Sequence, residues 1–194
     1  MKKNEIVTVI EAVIKAFEEL GVLYYVGGSV ASSAYGIARA TIDVDLVSNL
    51  KTHHVNLLVE KLKSVFFIDG NMIHNAIRTT SSFNIIHLDS MMKVDVFILI
   101  DKPYPQKAFE RKRIDTLDDE ADSIKMYLCS AEDIILNKLE WYKTGGNISE
   151  RQWLDVLGVI KVQGDSLDLD YLKHWARELD VLDLLEKALV EGKV

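Results

Sequence analysis

This 194-residue sequence has little cysteine, little proline, and no apolar run approaching the length of a bilayer span. Each scarcity excludes something. Cys129 stands alone, which rules out an internal disulfide and leaves a hydrophobic thiol as its default reading. Without a stretch near the roughly 18 apolar residues of a spanning helix, membrane insertion is argued against and a cytosolic protein is expected. The five histidines, His53, His54, His74, His87 and His174, form no helical zinc pair and no Cys/His cluster, so none is assigned catalytic work. Basic charge is scarce too. The formal net charge is −7; the first 100 residues carry 9 basic and 10 acidic groups, and the remaining 94 carry 14 and 20. Proteins that grip a nucleic-acid backbone show a basic footprint. Here the cluster Lys107, Arg111, Lys112 and Arg113, on one expected helix, reads by default as a solvated face. Long DNA or RNA is therefore argued against as a partner, although a tRNA end fits a local patch. A small hydroxylated molecule or a protein side chain suits the charge better.

What is present suffices for a packed core. Hydrophobic residues make up 48% of the chain, enough for one domain with an appendage or two small ones. Residues 4–20 carry apolar side chains at 6, 9, 10, 13, 17 and 20, the stripe of an amphipathic helix and not of a signal peptide. Strands are expected at 23–26, 42–47, 65–68, 83–88, 93–100 and 123–128. Helices are expected at 29–36, 52–64, 71–78, 104–113, 130–143, 149–163, 168–179 and 181–191. Strands stop where helices take over. That segregation predicts an α/β (α+β) core over 1–129 and a helical C-terminal subdomain over 130–194, joined near Cys129-Ser130. Tyr171, Leu172, Trp175, Leu179, Leu182, Leu184 and Leu185 read as core of that subdomain.

The chemistry-bearing stretch is Val26–Val47, VGGSVASSAYGIARATIDVDLV. Side chains alternate on a strand, so Asp43 and Asp45 share one face of Ile42–Leu46 while the apolar residues share the other. Two adjacent carboxylates persist at low cost only when protonated, paired or metal-bound, and hard oxygen donors favour Mg2+ or Mn2+. The alternative is a solvated edge strand. Leu23–Val26 has strand composition, Gly27-Gly28 permits a tight turn or close approach, and Ser29 is placed to cap the helix that follows. Free amides at a helix start attract phosphate. A third acid, Asp95, is the sole carboxylate in the apolar run Lys93–Ile100, where it shares a face with Lys93 and Phe97.

Gly-Gly-Ser, thirteen intervening residues, Asp-Val-Asp and a later strand aspartate together resemble the nucleotidyltransferase superfamily of polymerase-β-like fold. Arg39–Leu46 is similar to the R-x-[ST]-x-D-[ILV]-D-[LF] pattern of a small branch that includes abortive-infection type IV toxins, and the core resemblance covers Gly21 to Leu99. It implies a mixed sheet flanked by helices and transfer of an NMP from an NTP to a hydroxyl acceptor: a small molecule, a protein or a tRNA end. Gly27, Gly28 and Ser29 would bind the triphosphate. Asp43, Asp45 and Asp95 would hold Mg2+ or Mn2+, with Asp95 also helping deprotonate the acceptor. A cognate antitoxin partner is implied as well. Arg39 reads equally as a phosphate contact or as counter-ion to the two aspartates. A non-catalytic nucleotide-binding or protein-interaction module on the same fold is the alternative function.

Downstream, Ser130-Ala131-Glu132-Asp133 has the form of a capping box, and Lys138 falls inside the apolar stripe Ala131, Ile134, Ile135, Leu139, Tyr142. Lys138 either snorkels to an edge or presents its ammonium to an anion in a cleft, and the resemblance favours a nucleotide phosphate. Arg151 and Asp155 sit at i, i+4, the spacing of a surface ion pair, which is the preferred reading; in the toxin branch such an aspartate instead bears on the lysine.

Overall fold

In the computed structural model, which describes residues 5–41, 43–116 and 124–192, seven strands join in one mixed sheet of order β3-β4-β5-β2-β1-β7-β6. These are β1 (Tyr24–Val26), β2 (Asp43–Ser48), β3 (Phe66–Phe67), β4 (Ser82–His87), β5 (Lys93–Ile98), β6 (Arg113–Asp115) and β7 (Met126–Leu128). The helices are α1 (Glu5–Glu19), α2 (Gly28–Tyr35), α3 (Val55–Leu62), α4 (Gly70–Thr79), α5 (Pro103–Glu110), α6 (Ala131–Thr144), α7 (Glu150–Gln163), α8 (Leu169–Glu178) and α9 (Leu182–Glu191). β2 runs parallel to β5 and antiparallel to β1, and β1 runs parallel to β7.

Alternation decides which face meets which helices. Val44, Leu46, Val94 and Val96 are fully buried and pack into one core with Val9, Ile10, Val13 and Phe17 of α1 and with α3 and α4. Each such aliphatic or aromatic side chain contributes about 1.5–3 kcal/mol by leaving water. A second core joins α5 to α9 with Tyr25, Ala31 and Cys129. The C-terminal helices thus pack against residues from the first half of the chain, and they cover the sheet face that carries Asp43 and Asp45. The cysteine is a free, buried thiol, as expected.

Two expected helices differ. The 52–64 segment begins as a 3-10 turn at Thr52–His54 before α3 and ends at Leu62. The 104–113 helix stops at Glu110, because the chain then enters β6 and pairs with β7 at the sheet edge. Arg111 bonds Glu132 at 3.0 Å and lies 3.8 Å over the Tyr171 ring, and Lys112 sits over Phe109. Buried acids and aromatic faces draw these cations apart, so no single helix displays the basic cluster. The expected starts at residues 4, 42 and 123 lie outside the described residues. Among the described residues, no helix is long and apolar enough to cross a membrane.

Candidate active site

The parallel register sets Asp45 beside Asp95, and Asp43 beside Lys93. Adjacent strands lie about 4.8 Å apart. With the valines and Leu46 turned into the core, the pleat sends all three aspartates to the opposite face. All three are partly buried. Burial, then the neighbouring Asp95, push the Asp45 carboxyl above the ordinary value of 3.8; Lys138 pulls it back and Asp43 adds to the rise. A folded-state pKa above the unfolded one means that stability falls as pH rises from 3.8 through the folded value. Asp45→Asn therefore raises the melting temperature of the metal-free protein at pH 7 and leaves it unchanged near pH 3, a comparison for calorimetry.

Backbone geometry seals the glycine turn onto this carboxylate. The Gly27 N–H donates to the Asp45 carbonyl at 2.8 Å, which carries the β1–β2 pairing past Val26 into the turn. Gly28 has φ +54, and a Cβ built there would stand 1.7 Å from Asp45 Oδ2. Only glycine meets both conditions. Gly27 is the N-cap of α2 and has no side chain to satisfy the helix's first amides. Ser29, expected as that cap, is instead the second residue of the helix, and its Oγ accepts from Arg39 Nη2 at 2.5 Å.

Arg39 also grips Asp155 through Nε at 2.8 Å and Nη2 at 2.9 Å, a bidentate pair. Lys138 Nζ bonds the same carboxylate at 2.7 Å. Lys138 and Asp155 are both buried. Burial alone would raise the Asp155 carboxyl, but the bonds from Arg39 and Lys138 hold it below 3.8. Its stabilisation is therefore complete above the unfolded pKa and lost as pH falls through the folded one. Asp155→Ala strands the buried ammonium of Lys138 and is expected to cost about 3 kcal/mol in urea unfolding at pH 7. The structure thus corrects two readings. Asp155 pairs with Arg39 and Lys138 and not with Arg151, which is exposed, and Arg39 is the partner of Asp155 and Ser29 and not of Asp43 and Asp45. Lys138 does not snorkel: its buried ammonium meets the Asp155 carboxylate, the contact that the toxin-branch alternative gave to that aspartate. A cleft of about 380 Å³ opens beside this node, lined by Ile37, Arg39, Leu154, Asp155 and Lys161 among others.

Lys93 Nζ lies 2.8 Å from Asp95 Oδ2. Three carboxylates with a shared face supply the hard oxygen donors that suit Mg2+ or Mn2+. Asp45 and Asp95, set side by side in the register with Asp43 on the same face, are in that sense a donor set suited to a divalent cation. Among the described residues, however, no group of three acid, His or Cys side chains is arranged to hold a metal, and Asp95 is already engaged by Lys93.

Solved structures share this fold. The antibiotic-resistance factor ANT(2'')-Ia is 15% identical with a TM-score of 0.57, over 93% of this chain and 96% of that one. A complex of ANT(2'')-Ia with adenylyl-2''-tobramycin matches at 14% identity and TM-score 0.56, over 90% and 98%. An antigenic nucleotidyltransferase-like protein from Paracoccidioides brasiliensis is 18% identical with a TM-score of 0.56, over 98% and 94%. No protein-family model and no curated protein matches the sequence. These likenesses establish the fold: a mixed sheet flanked by helices, of the nucleotidyltransferase kind.

Proposed function

We propose that this chain is a metal-dependent nucleotidyltransferase that moves a nucleoside monophosphate from an NTP to a hydroxyl acceptor. The observation that carries the proposal is the in-register Asp45 and Asp95 pair with the Gly28 turn closed onto Asp45. In this reading the first amides of α2 and Ser29 receive the triphosphate, with Arg39 adding a cation through its bond to Ser29. Asp155 fixes both Arg39 and Lys138, so the two positive charges stay aimed at the anionic side of the site. Asp43, Asp45 and Asp95 are the residues that would hold Mg2+ or Mn2+, and such a cation would neutralise charge at the reacting phosphate.

Asp95 takes the proton of the acceptor hydroxyl. The acceptor oxygen then bonds to the α-phosphorus as the bond to the bridging oxygen breaks, and pyrophosphate leaves on the glycine-turn side. The ANT(2'')-Ia complex with adenylyl-2''-tobramycin supports a small hydroxylated molecule as the acceptor. The deciding experiment incubates α-labelled NTPs, Mg2+ and a small-molecule extract with the protein. Label and pyrophosphate should appear with Mg2+ and vanish with EDTA. Tight NTP binding with no label moved would favour the non-catalytic module instead.

A further inference from the structure

Lys93 has no part in the transfer chemistry assigned above, yet it stands inside the acidic cluster. It precedes Asp95 by two residues on β5, shares its face, and sits directly opposite Asp43 in the parallel register. Its ammonium contacts Asp95 Oδ2 at 2.8 Å. An acidic cluster on neighbouring strands repels itself until a cation enters, and the chain supplies one from its own sequence. That cation is held lightly. The Lys93 and Asp95 side chains are 40% and 22% exposed, so the pair is screened by water and cheap to break. Lysine also brings a single mobile point charge on a flexible stem, where arginine would clamp the carboxylate with two bonds.

We propose that Lys93 is the resident counter-ion of the metal site: it occupies Asp95 in the metal-free chain, yields that carboxylate when a divalent cation binds, and so sets the site's affinity for metal. The inference rests on the metal-centre reading above.

The test titrates the full chain with Mn2+ alone, reading free Mn2+ by electron paramagnetic resonance, and repeats the melting curves with and without the metal. Lys93→Met should bind Mn2+ roughly tenfold more tightly than the parent. It should also melt lower than the parent without metal and gain more from Mn2+. Lys63→Met removes the same charge from an exposed pair with Glu60 and should leave Mn2+ affinity unchanged. Unchanged or weaker Mn2+ binding in Lys93→Met overturns the inference, as does an equal gain in Lys63→Met, which would trace the effect to overall charge. Should neither the parent nor Lys93→Met bind Mn2+, the metal-centre reading falls and takes this inference with it. If the affinities shift as expected but no NTP label is transferred, only the transferase reading fails.

Discussion

Asp45→Asn is expected to reduce label transfer from NTP by about 10³-fold or more while leaving the fold intact. The side chain keeps its size but loses the charge that a metal–phosphate centre uses most. The same substitution relieves a buried carboxylate that Asp95 and Asp43 both disfavour, so the inactive variant should be the more heat-stable one at neutral pH. Opposite signs for activity and stability in one variant separate a functional acid from a structural one. Transfer surviving at parental rate in Asp45→Asn would remove the carboxylate cluster from the mechanism.

Gly28→Ala is the second large effect. A left-handed backbone at φ +54 costs a side chain about 1–3 kcal/mol. The new methyl, 1.7 Å from Asp45 Oδ2, must also be accommodated, which typically adds about 1–3 kcal/mol more. Relief comes only by turning the Asp45 side chain or opening the turn, and either one displaces a proposed ligand. We expect a loss of roughly 4 kcal/mol in denaturant unfolding, with transfer down about 10²- to 10³-fold. Gly27→Ala is the informative contrast, because its added Cβ would meet Tyr25 ring atoms no closer than 3.5 Å. Equal damage from both substitutions would contradict the close approach as the cause.

The acids were legible in the sequence because strand periodicity is local. Asp43, Asp45 and Asp95 are each surrounded by apolar neighbours at odd spacing, and the pleat alone puts them on one face. The glycine turn was legible for a similar reason. The two cations, Arg39 and Lys138, were also legible, but the carboxylate that holds them both was assigned to another partner. Arg39 meets Asp155 across 116 positions of chain, and a helix read alone offers Asp155 only its i−4 neighbour Arg151. Ser29 looked like a cap because serine next to a helix start usually is one. In the fold, the chain after Gly36 turns back far enough for Arg39 to take that hydroxyl. The end of α5 was obscured likewise: helix propensity runs on through Arg111 and Lys112, and only the pairing of β6 with β7 and the buried acids of α6 stop it.

The 116-residue span between Arg39 and Asp155 also dictates when the protein becomes competent during its synthesis. A ribosome that has released β5 has already delivered every carboxylate of the cluster, but α7 with Asp155 is still to be translated. At about 5–20 residues per second the nascent chain spends seconds with its acids made and its arginine unanchored. Truncated products ending before α7 should accordingly be inert, because Arg39 and Lys138 are then made without the carboxylate that anchors them both.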